Sequence, residues 1–187
     1  HMINVGFDTY CELLEETVQE LQGEKVEKVT PTIVDINVTA YIPDEWVGSS
    51  EQKMIEYKRL ADVKTPVELD YIIEEWTDRF AKPPECVENL IKLIRLRLSA
   101  TEIKIAAIRE SGDSIRIYTP YSKAEWNLVQ KVLPITISKK IKFTQAPASC
   151  QEGSSILILN ASYVNFNEVF NILTDLFYYI PKVSYEY

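Results

Sequence analysis

The 187-residue sequence predicts an α+β fold: a helical N-terminal half of about four helices and one strand, followed by a small mixed sheet with two further helices. Three observations carry this. Capped stretches with apolar residues three and four apart fill most of the first hundred positions. The turn residues Ser111-Gly112-Asp113 then separate two alternating apolar runs, which marks a β-hairpin. Short apolar runs follow, and an aromatic-rich helix closes the chain.

Taken in order, Asp8 caps a first helix from Thr9 to Leu21, with Leu13, Leu14, Val18 and Leu21 as its apolar stripe and Gly23 as its stop. Lys25 to Thr32 reads as a polar connector. A strand is expected from Ile33 to Ile42, because Val34, Ile36 and Val38 alternate with Asp35, Asn37 and Thr39 until Pro43 intervenes. Ser49-Ser50-Glu51-Gln52 has the spacing of a capping box and opens a second helix over 50–62. Thr65-Pro66-Val67-Glu68 opens a third, to about Phe80, with Leu69, Ile72, Ile73, Trp76 and Phe80 facing a core. Pro83-Pro84 separates it from a fourth over 85–101, whose inward residues are Val87, Leu90, Ile91, Ile94 and Leu98. Beyond a boundary near residue 102, the hairpin strands carry Ile103, Ile105 and Ala107, then Ile115 and Ile117. Ser122 to Glu125 caps another helix that stops before Pro134. Strands are expected at Ile141–Phe143 and Ile156–Leu159, and a helix from Phe166 to Tyr178.

Composition narrows the function. The chain has 28 acidic and 20 basic residues, a net charge of −8, which argues against a nucleic-acid partner because phosphate neutralisation needs a basic face. The acids crowd into the first hundred residues, so that half suits a basic partner. The only histidine, His1, belongs with Met2 to an expression-tag remnant, so imidazole catalysis and histidine metal sites are not expected. Cys11, Cys86 and Cys150 lie too far apart for zinc-ligand pairs. No apolar run reaches the ~18 residues of a membrane span and no signal peptide is recognisable, so a soluble, cytoplasmic domain is expected.

Several groups invite a functional reading. The adjacent carboxylates Glu15-Glu16, Asp44-Glu45 and Glu74-Glu75 do not face one another on a helix, and solvated faces explain them. Glu68, Tyr71, Glu75 and Asp78 form a second stripe on the third helix, suited to docking an arginine-bearing partner or to solvent alone. Lys139-Lys140-Ile141-Lys142-Phe143 is the one basic cluster with an aromatic beside it, too small to suggest nucleic-acid binding in an acidic domain. No phosphate-cradling glycine–lysine loop is present, and no residue constellation suggests an enzyme.

Certain motifs go further. Val5-Gly6-Phe7-Asp8-Thr9-Tyr10-Cys11-Glu12-Leu13-Leu14-Glu15-Glu16 resembles the segment that leaves the motor of bacterial transcription-repair coupling factor. Ala40-Tyr41-Ile42-Pro43-Asp44-Glu45, Glu51-Gln52-Lys53, and Tyr57-Lys58-Arg59-Leu60 are similar to the next block of that family. Leu69, Asp78-Arg79-Phe80, Pro84, Val87-Glu88-Asn89-Leu90 and Arg95-Leu96-Arg97-Leu98 continue it in order. The motifs cover about 3–105; beyond residue 106 only the element pattern is compatible.

The resemblance implies a part of a longer protein: residues 3–32 leaving an upstream motor and 33–187 forming its C-terminal regulatory domain. The family is an ATP-driven DNA translocase that displaces stalled RNA polymerase and recruits UvrA. ATP and Mg bind elsewhere in such a parent, so this domain is expected to hold no cofactor and to be non-catalytic. The implied role is autoinhibition, by docking on the N-terminal UvrB-like module of the same protein to mask UvrA binding and repress the motor. Family members use acidic positions on the helix ending Asp-Arg-Phe for that contact, and Glu75 and Asp78 fall on them. The alternative is a recruitment module that binds a separate repair or transcription protein through 106–187. The family often has glycine where this chain has Ala81 and Lys104, so the ends of the third and fourth helices are expected to be built differently here.

Overall fold

The computed structural model of the chain describes residues 29–183. The helix expected over 9–21 and the opening motif of the resemblance lie outside them. The described residues fall into two compact units, one built from Asn37–Arg95 and the other from Thr30–Ile36 and residues 96–183. In chain order the elements are β1 (Ile33–Asp35), α1 (Asp44–Val47), α2 (Ser50–Ala61), α3 (Pro66–Arg79), α4 (Glu85–Glu102), β2 (Ala107–Ser111) and β3 (Ser114–Thr119), then α5 (Lys123–Val132), α6 (Ile135–Ser138), β4 (Ile141–Gln145), β5 (Ser155–Asn160) and α7 (Phe166–Tyr179). A 3₁₀ turn at Ile180–Val183 ends the described chain. The architecture is α+β.

The first unit is helical, and its helices begin where local chemistry directs. Ser49 Oγ accepts the Gln52 amide at 3.1 Å and Thr65 Oγ1 accepts that of Glu68 at 3.3 Å, each filling an orphan donor of a first turn. The expected capping box at Ser49 is only half formed, because the Gln52 side chain donates to Glu56 Oε1 at 2.9 Å instead. Leu69, Ile72 and Trp76 of α3 are buried, as are Leu60 and Ala61 of α2. On α4 Val87, Leu90, Ile91 and Ile94 are buried as expected, and so are Leu93, Leu96 and Ala100, whereas Leu98 is only half-buried. This helix is covered on more than one stripe.

In the second unit the strand order is β1-β2-β3-β5-β4, with β1 parallel to β2 and the other neighbours antiparallel. Ile108, Ile117, Leu157 and Phe143 form one cross-strand row, and Ile115, Leu159 and Ile141 the next. This is the core face, where the Trp126 ring of α5 stacks on Phe143 with centroids 6.4 Å apart. The opposite face carries Asp35, Arg109, Arg116, Ile158 and Lys142 in one row. Ser122 forms the full capping box with Glu125, accepting its amide at 3.1 Å while Glu125 accepts the Ser122 amide at 2.6 Å. The hairpin turns at Gly112, whose φ of 58° glycine adopts without the cost an L side chain would bear.

Three expectations are corrected. The strand expected over 33–42 pairs only at Ile33–Asp35. The alternation continues, with Ile36, Ala40 and Ile42 buried, but Thr39 O accepts from Asn89 Nδ2, the Tyr41 amide donates to Cys86 O and the Ile42 amide to Tyr57 Oη. Helix groups, not a neighbouring strand, satisfy that backbone. Secondly, the short helix α6 follows Pro134, which the sequence marks only as a stop.

Thirdly, the ends of α3 and α4 keep the left-handed backbone that the missing glycines would have favoured: Ala81 has φ 135° and Lys104 φ 63°. At Lys104 the pattern is a Schellman motif, with the Ile105 amide on Ala100 O at 3.0 Å and the Lys104 amide on Thr101 O at 3.1 Å. An L side chain in such a conformation costs about 1–2 kcal/mol. Ala81→Gly and Lys104→Gly should therefore each stabilise the chain by about 1 kcal/mol. Both should raise the urea midpoint; unchanged midpoints would show that neither residue is strained.

Candidate docking face

Helix α3 buries one face and leaves the other bare. Glu68, Tyr71, Glu75 and Asp78 are all exposed, Tyr71 by 69%. Periodicity thus placed the four on one outer face, but their surroundings differ. Glu68 Oε2 accepts the Lys64 amide at 2.8 Å, a bond that fastens the entry to the helix. Glu75 is paired with Arg59 of α2 and lies 3.6 Å from Arg79 Nη1, one turn along its own helix. Tyr71 and Asp78 make no side-chain hydrogen bond or ion pair among the described residues.

Beneath this face lies a residue that sequence reading did not single out. Glu56 is 0% exposed. Its carboxylate accepts Trp76 Nε1 at 2.6 Å, Gln52 Nε2 at 2.9 Å and Arg59 Nη1 at 3.1 Å, with Arg79 Nη1 at 3.8 Å. A buried carboxylate is tolerated only when its lone pairs are filled and its charge is matched, and both conditions hold. Arg59 bridges this interior carboxylate to the outer Glu75. Burial pulls the Arg59 pKa down, but Glu75 and Glu56 outweigh it and the net direction is upward, so the bridge stays charged. Trp46 of α1 abuts the same Trp76 edge-on at 5.4 Å and Phe80 at 5.3 Å. Glu56 stands one turn before Leu60 and shares that residue's inward phase, but in sequence its charge reads as surface.

No described residues form a group of three His, Cys, Asp or Glu able to hold a metal. Cys86 and Cys150 are half-buried and free. No described helix is long and apolar enough to cross a membrane.

Residues 36–127 match the TRCF domain family, a span that contains all four stripe residues and Glu56. The chain belongs to the TRCF-domain family. It is 36% identical over 116 residues to the transcription-repair-coupling factor of Staphylococcus epidermidis RP62A, covering 61% of this chain and 10% of that protein. The Bacillus subtilis 168 factor is 32% identical over 116 residues, with the same coverage. The Staphylococcus aureus USA300 factor is 34% identical over 131 residues, 69% of this chain and 11% of its own length. The TRCF chain thus spans about a tenth of the curated relatives it matches. A crystal structure of the C-terminal domain of transcription-repair coupling factor superposes with a TM-score of 0.65 at 17% identity, over 84% of this chain and 98% of that one. Coverage of 84% carries the likeness of fold past residue 105, where the sequence motifs stop.

Proposed function

We propose that this chain is a non-catalytic autoinhibitory domain of an ATP-dependent DNA translocase acting in transcription-coupled nucleotide excision repair. It docks on the N-terminal UvrB-like module of the same protein, masking UvrA binding and holding the motor repressed. The observation that carries this reading is the outer face of α3, where Tyr71 and Asp78 stand exposed and unpaired among the described residues. Tyr71 supplies an aromatic anchor and Asp78 an open carboxylate for a partner arginine.

Glu75 takes a different part. Its carboxylate already serves Arg59 and Arg79, so a partner arginine joins or displaces an existing network rather than meeting a bare charge. Moving a switch from 1:99 to 99:1 takes about 5.5 kcal/mol of differential binding. Exposed ion pairs supply only about 0–1 kcal/mol each, so apolar contact around Tyr71 must provide most of the rest.

In the full-length protein, Glu75→Ala with Asp78→Ala should raise both UvrA binding and basal ATPase, and Tyr71→Ala should do so more strongly. Calorimetry of the isolated chain with the UvrB-like module should give a weak affinity that falls as salt rises. Wild-type UvrA binding and ATPase in all these variants would remove this face from the mechanism.

A further inference from the structure

We propose that the second unit carries a separate docking cleft for an acidic, partly apolar peptide segment of a partner protein. This inference does not depend on the α3 face. The cleft has a volume of about 1110 Å³ and lies where β4 and β5 meet the start of α7. Lys139, Lys140 and Lys142 line it, with Ile158 and Ile172 as apolar surface and Asn160 and Asn171 as amides able to bond a peptide backbone. All three lysines are exposed, and none has an ion-pair partner among the described residues. Lys142 also continues across the open sheet face: its row partner Ile158 is followed by Arg116 on β3, exposed and likewise unpaired among the described residues. At about 4.8 Å between neighbouring strands, Arg116 stands roughly 10 Å from Lys142. The cationic strip therefore runs out of the cleft and over the sheet.

The second observation is Tyr163, which lines the same cleft and is 106% exposed. Its φ is 62°, a conformation that a bulky L residue rarely adopts. The surrounding turn enforces it: the Ala161 amide donates to Asp113 O at 2.7 Å, the Ser162 amide to Asn160 Oδ1 at 3.0 Å and the Val164 amide to Ala161 O at 3.1 Å. A strained backbone that holds an aromatic ring wholly in solvent has no evident use in the fold, and it supplies the kind of rigid anchor that interfaces favour.

The chemistry of the walls selects the occupant. Asp113 and Glu168 also line the cleft, and a phosphodiester strand, negative at every residue, would be repelled there. A peptide whose carboxylates are spaced by apolar side chains can place its charges on the lysines and its apolar groups against Ile158, Ile172 and Tyr163. A peptide partner gives the recruitment reading of 106–187 a definite site.

The test uses the whole chain and fluorescence anisotropy with a short fluorescein-labelled peptide of alternating Glu and Leu. Binding is expected at micromolar concentrations, weakening with salt. It should fall by at least about tenfold in a Lys139→Glu/Lys140→Glu/Lys142→Glu variant and in Tyr163→Gly, and stay unchanged in Glu75→Ala/Asp78→Ala. Tyr163→Gly discriminates further, because relief of the positive φ should raise the melting temperature while affinity is lost. Three results would overturn the proposal: no binding up to about 1 mM, equal binding by the charge-reversed variant, or tighter binding of a labelled oligothymidylate than of the peptide.

Discussion

Replacing Glu56 with alanine should lower the melting temperature by roughly 10 °C, an effect larger than that of any exposed charge in the chain. Removing one member of a buried ionic network typically costs about 3–5 kcal/mol, because the partners lose a counter-charge that water does not replace. Here the loss leaves the indole N–H of Trp76, itself 0% exposed, without its acceptor. It also opens a void between α2 and α3. Arg59 and Arg79 are half-exposed, with side-chain exposures of 33% and 49%, so solvation recovers part of their share and holds the loss near the lower end. Glu56→Gln keeps an acceptor for Trp76 and most of the volume, and should lose about half as much. Thermal melts followed by tryptophan emission separate the variants. A shift below about 2 °C for the alanine would mean that the network contributes little. Because Arg59 reaches both Glu56 and Glu75, the same variant should loosen Glu75 on the outer face.

The second large effect is expected at Gly153. A Cβ added there would lie 2.6 Å from Thr119 O, 3.0 Å from Thr119 N and 3.2 Å from its carbonyl carbon. These are backbone atoms of a strand end and have no rotamer by which to yield. They also serve the fold: Thr119 O accepts the Ser154 amide at 2.9 Å, and Thr119 and Ser155, both 0% exposed, share a hydroxyl–hydroxyl bond of 2.5 Å. Gly153→Ala should force the loop away from β3, breaking these bonds at a cost of about 3 kcal/mol. Urea unfolding should register this as a lower midpoint. A wild-type midpoint would mean that the loop shifts freely and that the close approach is incidental.

What the sequence disclosed depends on the range of the physics behind it. Ser49, Thr65 and Ser122 mark helix starts because a cap is a bond within three residues, and each is found where its spacing put it. The hairpin at Gly112 was legible for the same reason. The segment 36–42 misled because alternation records alternating burial, which an extended chain laid against helices shows as well as a strand does. The stripe of Glu68, Tyr71, Glu75 and Asp78 followed from the helical period alone. That Arg59 would reach Glu75 from another helix, and that Glu56 would sit inside, are tertiary facts; in sequence Glu56 is one more acid in a charged helix. The strain at Ala81 and Lys104 was half visible, since glycine's absence was noted while the backbone that glycine serves was expected to change with it.

The parallel pairing of β1 with β2 joins Val34 to Ile108, with four helices made in between. During synthesis at roughly 5–20 residues per second, β1 emerges from the ribosome several seconds before its partner exists. Throughout that interval its backbone donors and acceptors have no ladder, while the helices of residues 44–95 form from contacts near at hand. The second unit must therefore complete itself last, by recapturing a strand made before the helices of residues 44–95. Slowing translation between residues 36 and 107 would lengthen the time for which that strand is open to a foreign edge.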